Sequence, residues 1–418
     1  MAPLNSHSYH KVLALLAVIV SLVVTTTHAS TITRRLETIP YLDYTGIEAA
    51  AREAISDTLK RRGVDESDLI ARELLGPRQL SVTVPSCKKV SKRKEWRDLR
   101  YNEKKDWIRA VKCLQTKGDY GISPISDTLY DAFTQVHQTN WTDFHGNAFF
   151  LPWHRWFVWV HAEAMEHECG YSGPHPYWDY TLDYKNPTAS PIFSTDPEVG
   201  FGTHGNIPLR EIGQGGYKVD NGAFANLKVN LPIPHFLTRN FSAWKDWDPE
   251  RHWGTALGGS FSPEQVKIAL KAETFWELEA AIDGLNLTTF NDPPVVPSPD
   301  TPAPAGIIPL AGIHNGPHFF NMGDWNGPFW LLGTDWFPAG VVAPNDPMFW
   351  PHHTNVDRTF WRWQQRPGKQ WEFNGLKGAN RTDDPALPTD LLPFYGLGPD
   401  VPVALTLKTE NWPMCYTY

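Results

Sequence analysis

Apolar and polar positions recur with a helical period in several separate stretches of the chain. In "KEWRDLRYNEKKDWIRAVKCLQ", Trp96, Leu99, Trp107, Ile108, Val111 and Leu114 fall at helical spacing. "ISDTLYDAFTQVHQ" predicts a second helix, with Ser126 or Asp127 as its N-cap. "LPWHRWFVWVHAEAMEHECG" predicts a third, opened by His154 and stopped at Gly170. "SPEQVKIALKAETFWELEAAIDG" holds further helical segments behind Ser262 and Pro263. "PHHTNVDRTFWRWQQ" predicts the last strong helix. In it His353, Val356, Phe360 and Trp363 form one mostly apolar stripe, and His352, Asn355, Thr359 and Arg362 a polar stripe beside it. Strand signals are few and short, for example "VPVALTLK" near the end. "NDPPVVPSPDTPAPAG" is a Pro-rich exposed loop. The pattern predicts a mainly α fold with long irregular loops and a few short strands.

The same pattern divides the chain. Lys11 precedes the apolar run "VLALLAVIVSLVV", and "TTTHAS" follows with small residues. Residues 1–29 therefore read as a secretory signal peptide, too short in its apolar part for a membrane span. "GIEAAAREAISDTLKRRGVDESDLIARELLG" is charged, helix-prone and free of aromatic residues. Residues 30–86 read as an N-terminal extension or propeptide outside the main core, which begins near Cys87 and runs over 87–418.

Composition adds constraints. Hydrophobic residues make up 41% and charged residues 20% of 418, as in a packed globular protein. The net charge of −8 gives no footing on nucleic acid or an anionic membrane surface. Four N-x-S/T sequons, at Asn140, Asn240, Asn286 and Asn380, fit a secreted, extracellular glycoprotein. Four cysteines, Cys87, Cys113, Cys169 and Cys415, allow two disulfides in three connectivities. A bridge at Cys415 would pin the C-terminus to the body.

The candidate chemistry lies in histidines. His137 ends the second helix, His145 sits in the loop "WTDFHGNAFF", and His154 opens the third helix. His314 and His318 stand four apart in "GIHNGPHFF", close enough on a helical face to share a metal, although Gly316 and Pro317 lie between them. His352 and His353 are adjacent, and neighbours on a helix point about 100° apart. A metal in the core therefore takes the inward one, His353, and leaves His352 as a structural neighbour. Two three-histidine sites suit two copper ions; zinc would also accept three histidines and a water. No HExxH motif supports a zinc hydrolase. His161, His167, His175, His204, His235 and His252 read as structural or surface residues.

Taken together, "FHGNAFFLPWHRWFVWVHAEAM", "IHNGPH" and "APNDPMFWPHHTNVDRTFWRWQ" resemble the copper-binding signatures of the type 3 copper proteins. These are the tyrosinases, catechol oxidases and haemocyanins, and the resemblance is closest to short, secreted fungal-type enzymes. It implies a four-helix bundle holding a dinuclear copper centre, with His137, His145 and His154 on one copper and His314, His318 and His353 on the other. It implies oxidation of small phenols by O2, catechols going to o-quinones. The ending "CYTY" is similar to the Tyr-x-Tyr motif that closes the core domain, and Asp357 lies four residues after the last ligand, as in the family. Phe149, Phe150 and Phe349 are expected around the pocket or packed in the core.

Departures refine the expectation. Asp143 stands where many members carry a cysteine bonded covalently to the second ligand. Asn315 follows the first ligand of the second copper, as in members that hydroxylate monophenols, where it helps hold a catalytic water. The glutamate that usually lies upstream is missing, and Glu277 and Glu279 are the candidates for a displaced acid. Diphenol oxidation is therefore expected to dominate, with efficient monophenol hydroxylation as the alternative. Gly340 and Val341 fall where plant enzymes place a blocking Phe. Their small side chains leave the entrance open, which speaks against a haemocyanin-like carrier.

Overall fold

In the computed structural model of this chain the described residues are 39–61, 84–139, 141–209, 216–241, 260–284, 312–325, 340–377 and 384–418. They form the helices α1 (Tyr44–Arg61), α2 (Tyr101–Cys113), α3 (Leu129–Thr139), α4 (Phe150–Cys169), α5 (Pro263–Ala269), α6 (Phe275–Asp283), α7 (Gly312–Asn321), α8 (Phe349–Gln364) and the single turn α9 (Val403–Thr406). Three-residue 3-10 turns and strands of two or three residues make up the rest of the regular structure among the described residues, so the fold is mainly α, as the periodicity predicts. The signal peptide, the Pro-rich loop and the sequons Asn140, Asn286 and Asn380 lie outside the described residues.

Local chemistry explains most of the helix ends. Gly170 closes α4 in the left-handed region, at φ 63°, where a side chain would be strained. Ser262 caps α5 by accepting from the Gln265 N–H, 3.3 Å away. The start of α3 differs from expectation: Thr128, not Ser126 or Asp127, accepts from the Asp131 N–H at 3.2 Å. The Ser126 and Thr128 hydroxyls both donate to the Asp131 carboxylate. α7 keeps its helix with Pro317 inside it. Pro317 has no N–H to donate to the Ile313 carbonyl four residues upstream, so α7 lacks that rung of its ladder.

Helix α8 packs on α4 and α7, and α6 packs on α7. α3 joins them through Phe133, whose ring is 5.6 Å from Phe157 on α4 and 5.3 Å from Trp350 on α8. α3, α4, α7 and α8 thus form the four-helix bundle. The core is dense in large aromatic rings, with Trp96, Trp107, Trp153, Trp156, Trp178, Trp325 and Trp363 fully buried. The predicted core stripe of α8 is buried throughout. Its polar neighbours His352, Asn355 and Thr359 are also buried, and Arg362 alone of that stripe is exposed. The segment after α4 covers them: the Trp178 N–H donates to the Pro351 carbonyl at 3.0 Å, and the Tyr180 ring lies 5.8 Å from His352.

Two expectations need correction. The N-terminal stretch is not outside the core from Ile39 onward. Ile39, Leu42, Ile47, Ala50 and Ala51 belong to the same apolar cluster as the bundle, and α1 packs against α9. The reason is the small apolar face of α1, which needs no aromatic residue to fit a close-packed surface. The segment "VPVALTLK" is not one strand. Val401–Pro402 pairs antiparallel with Leu391–Leu392, and the chain then turns into α9. Residues Val401 to Leu407 are all buried, so the alternation that marks a half-exposed strand has no role there.

The C-terminus is pinned as expected for a bridge at Cys415. Cys87 pairs with Cys415, and Cys113 on α2 pairs with Cys169 on α4. Ser91–Lys92 pairs in parallel with Tyr416–Thr417. Beneath them the fully buried Asp357 accepts from Arg93, Arg155, Tyr416 and Tyr418. Burial alone would raise its pKa; the two guanidiniums together with the two tyrosine hydroxyls outweigh burial and hold it below the usual carboxylate value.

Candidate metal centre

The bundle brings all six expected ligands to its centre. α3 supplies His137, α4 supplies His154, and the α3–α4 loop supplies His145. Their rings lie 5.0, 5.7 and 4.9 Å apart, centroid to centroid, for the pairs 137–145, 137–154 and 145–154. α7 carries His314 and His318 one turn apart with centroids 4.6 Å apart, and α8 brings His353 to 4.9 Å from His314. In each group the nitrogens fall within 4.8 Å of one another, as a shared metal ion requires. The groups meet where His154 stacks on His353, with centroids 4.3 Å apart.

The hydrogen bonds fix which nitrogen faces inward. Nδ1 of His137 donates to the Val341 carbonyl at 2.8 Å, Nδ1 of His145 to Trp141 at 2.8 Å, and Nδ1 of His154 to Phe150 at 2.9 Å. Nδ1 of His318 donates to the Trp325 carbonyl at 3.0 Å, and Nδ1 of His314 lies 2.8 Å from an Asp283 carboxylate oxygen. A carbonyl can only accept, so Nδ1 carries the proton and Nε2 keeps its lone pair. Nε2 of His137, His154, His314 and His318 is buried with no hydrogen-bond partner. Buried polar atoms without partners are rare, and four of them converging on one place mark a metal cradle. Burial also favours the neutral ring at five of these six positions. It pushes His137 down to about 3 and holds His145, His154, His318 and His353 well below the usual imidazole value. The residues present fit two imidazole-bound metal ions.

His352 and His353 are both buried, and neither ring has a hydrogen-bonded nitrogen. Both lie within reach of His314 and His318. Their surroundings separate them. The His353 ring contacts His154 and Phe349, between the two groups. The His352 ring lies on the other side of the second group, 4.9 Å from His318 and 5.5 Å from His314, packed 5.1 Å from Trp325 and 5.8 Å from Tyr180.

The other expected site residues fall into place unevenly. Phe150 lies 4.5 Å from both His154 and His314, and Phe349 lies 4.1 Å from His353, so both wall the histidines. Val341 acts through its carbonyl on His137, while its side chain packs with Leu231 and Val342. Gly340 beside it adopts φ 85°. Glu277 is exposed at the start of α6, and neither it nor Glu279 reaches a histidine. The carboxylate that does is Asp283, which the sequence reading passed over. It bonds His314, accepts from the Asn315 amide through its carbonyl at 2.8 Å and its carboxylate at 3.4 Å, and accepts from the Gly146 N–H at 3.2 Å. Gly312 makes this possible. A Cβ there would fall 2.4 Å from the Ile282 carbonyl oxygen, so glycine lets α7 start against the end of α6. The signal available was the "IDG" ending of α6, with its acid on the last turn.

Residues 127–366 match the model of the common central domain of tyrosinase. This chain belongs to the tyrosinase family. Among its relatives, tyrosinase ustQ of Aspergillus flavus is 30% identical over 351 residues, covering 82% of this chain and 84% of that one. Tyrosinase P of Aspergillus terreus is 29% identical over 353 residues, covering 80% and 93%. The fold is that of a polyphenol oxidase variant from Thermothelomyces thermophila, with TM-score 0.59, 23% identity, and coverage of 90% of this chain and 97% of that one. The tyrosinase-family chain is accordingly a copper oxidoreductase that acts on phenols with O2. Among its described residues no helix is long and apolar enough to cross a membrane.

Proposed function

We propose that this chain is a secreted polyphenol oxidase that converts o-diphenols to o-quinones with O2, with monophenol hydroxylation as a secondary activity. His137, His145 and His154 hold one copper, and His314, His318 and His353 the other. The single observation that carries this reading is the convergence of unpartnered Nε2 atoms whose opposite nitrogens are tied outward to carbonyls and a carboxylate. Copper, when bound, supplies the redox exchange between O2 and the phenol.

The protein does the rest. Backbone carbonyls fix the tautomers of His137, His145, His154 and His318. Phe150 and Phe349 keep water from the rings. Asp283 orients His314 and draws in the Asn315 amide. A phenol must lose its proton before it can be oxidised at a metal, and a water held by Asn315 and Asp283 would accept it. That carboxylate revises the expectation of a missing acid and supports some monophenol turnover. The disulfides Cys87–Cys415 and Cys113–Cys169 support passage through an oxidising compartment.

Oxygen uptake by the purified, copper-loaded chain tests the reading. A catechol is expected to drive uptake at once, and a monophenol more slowly or after a lag. Faster turnover of the monophenol would replace the reading with that of a full tyrosinase, and no uptake with either would overturn it.

A further inference from the structure

Five of the six histidines stand on helices; His145 alone stands on a loop. A helix fixes a side chain through its own backbone ladder, whereas a loop residue must be held from outside. His145 bonds and stacks on Trp141, but Trp141 belongs to the same loop and moves with it. After His145 the loop is held from outside by the Gly146 N–H on Asp283 and the Ala148 N–H on the Leu376 carbonyl at 3.0 Å, and before it by a side chain. Asp143, two residues before His145, accepts a hydrogen bond from the Tyr395 hydroxyl at 2.6 Å. Tyr395 lies 252 residues further along the chain.

The two segments share a platform. Phe144 stacks on Trp153 of α4 with centroids 3.5 Å apart and planes within 3°. Phe394, next to Tyr395, stacks on the same indole at 5.0 Å, and Trp153 Nε1 donates to the Pro393 carbonyl at 2.9 Å. The turn carrying Tyr395 is closed on itself, by Phe394 N–H to Asp400 at 2.7 Å and Leu397 N–H to the Phe394 carbonyl at 2.9 Å. Tyr395 adopts φ 48°, a left-handed conformation uncommon for a residue other than glycine. A rigid turn therefore presents a hydroxyl to a loop that carries a metal-binding ring.

We propose that the Asp143–Tyr395 hydrogen bond is a positioning device that holds the His145 loop in its metal-binding conformation, so that its loss weakens one metal site and spares the other. The proposal rests on the reading of His145 as a copper ligand. Asp143 and Tyr395 touch no metal or substrate themselves and act through His145.

Four variants test it: Tyr395→Phe, Asp143→Ala, Asp143→Asn, and Tyr395→Phe combined with Asp143→Ala. Copper is measured per chain over time in a competing chelator. Tyr395→Phe and Asp143→Ala are expected to lose one copper about tenfold faster than the parent while the second leaves at the parental rate. Asp143→Asn, which still accepts from the phenol, is expected to hold both, and the double variant to be no worse than either single one. Amide hydrogen exchange at Gly146 and Ala148 in metal-free protein should speed up about tenfold in the same two variants, with α8 amides unchanged. Unchanged exchange in both, or faster exchange throughout the chain, overturns the clamp, as does equal loss of both coppers. A parent chain that binds no copper overturns the functional reading instead, and the exchange measurement then still decides the clamp.

Discussion

At the scale of residues, the assignment of His353 rather than His352 is the sharpest claim. His353 lies between the two groups against His154, whereas His352 packs among His318, Trp325 and Tyr180. His353→Ala should remove most of one copper per chain, and His352→Ala should keep most of both; equal losses by metal analysis would defeat the assignment. Asp283 carries a second claim. Asp283→Asn keeps an acceptor for His314 but no base, so monophenol turnover should fall by about 100-fold while catechol oxidation changes only a few-fold. A parallel fall in both rates would mean that Asp283 serves His314 alone. All six histidines were legible in the sequence, because spacing and aromatic flanks repeat around each triplet. Asp283 was not, since 30 residues of intervening chain separate it from His314 and only the packing of α6 on α7 joins them. The tie between Asp143 and Tyr395 was hidden for the same reason.

At the scale of elements, helix ends read well wherever one residue type settles the geometry, as Gly170 does for α4 and Ser262 for α5. They read less well where neighbouring hydroxyls compete, as Ser126 and Thr128 do before α3. The α9 turn was missed because total burial erases the alternation that separates strand from helix. Helix α6 carries an unusual load. Glu279, one turn before Asp283, is fully buried and neither oxygen has a hydrogen-bond partner. Burial and the nearby Asp283 hold its pKa well above the usual value. In the unfolded chain it ionises above about pH 4.3, so above that pH the unfolded state binds fewer protons than the folded state. Its contribution thus favours folding less and less as pH rises from about 4.3 toward the folded-state pKa. Glu279→Gln should therefore gain thermal stability over the parent between about pH 4 and pH 7, as read by melting temperature. A constant difference across that range would contradict the buried neutral acid.

At the scale of the whole molecule, the chain closes on itself. Its N-terminal helix, C-terminal tyrosines and bundle meet in one apolar body, crossed by the Arg93–Asp357–Arg155 cluster and tied by Cys87–Cys415. The helix-rich class was readable from period alone, but the docking of α1 was not, because a small apolar face looks the same in a removable extension and in a packed one. If α1 is part of the body, Ile47→Ala should cost roughly 2–5 kcal/mol of stability by chemical denaturation, and a change near zero would restore the view of a detached extension. The central claim remains the pair of histidine sites. Metal analysis of the purified, copper-reconstituted chain tests it most directly: the account predicts two copper ions per chain, and a single copper, or zinc retained in preference to copper, would contradict it.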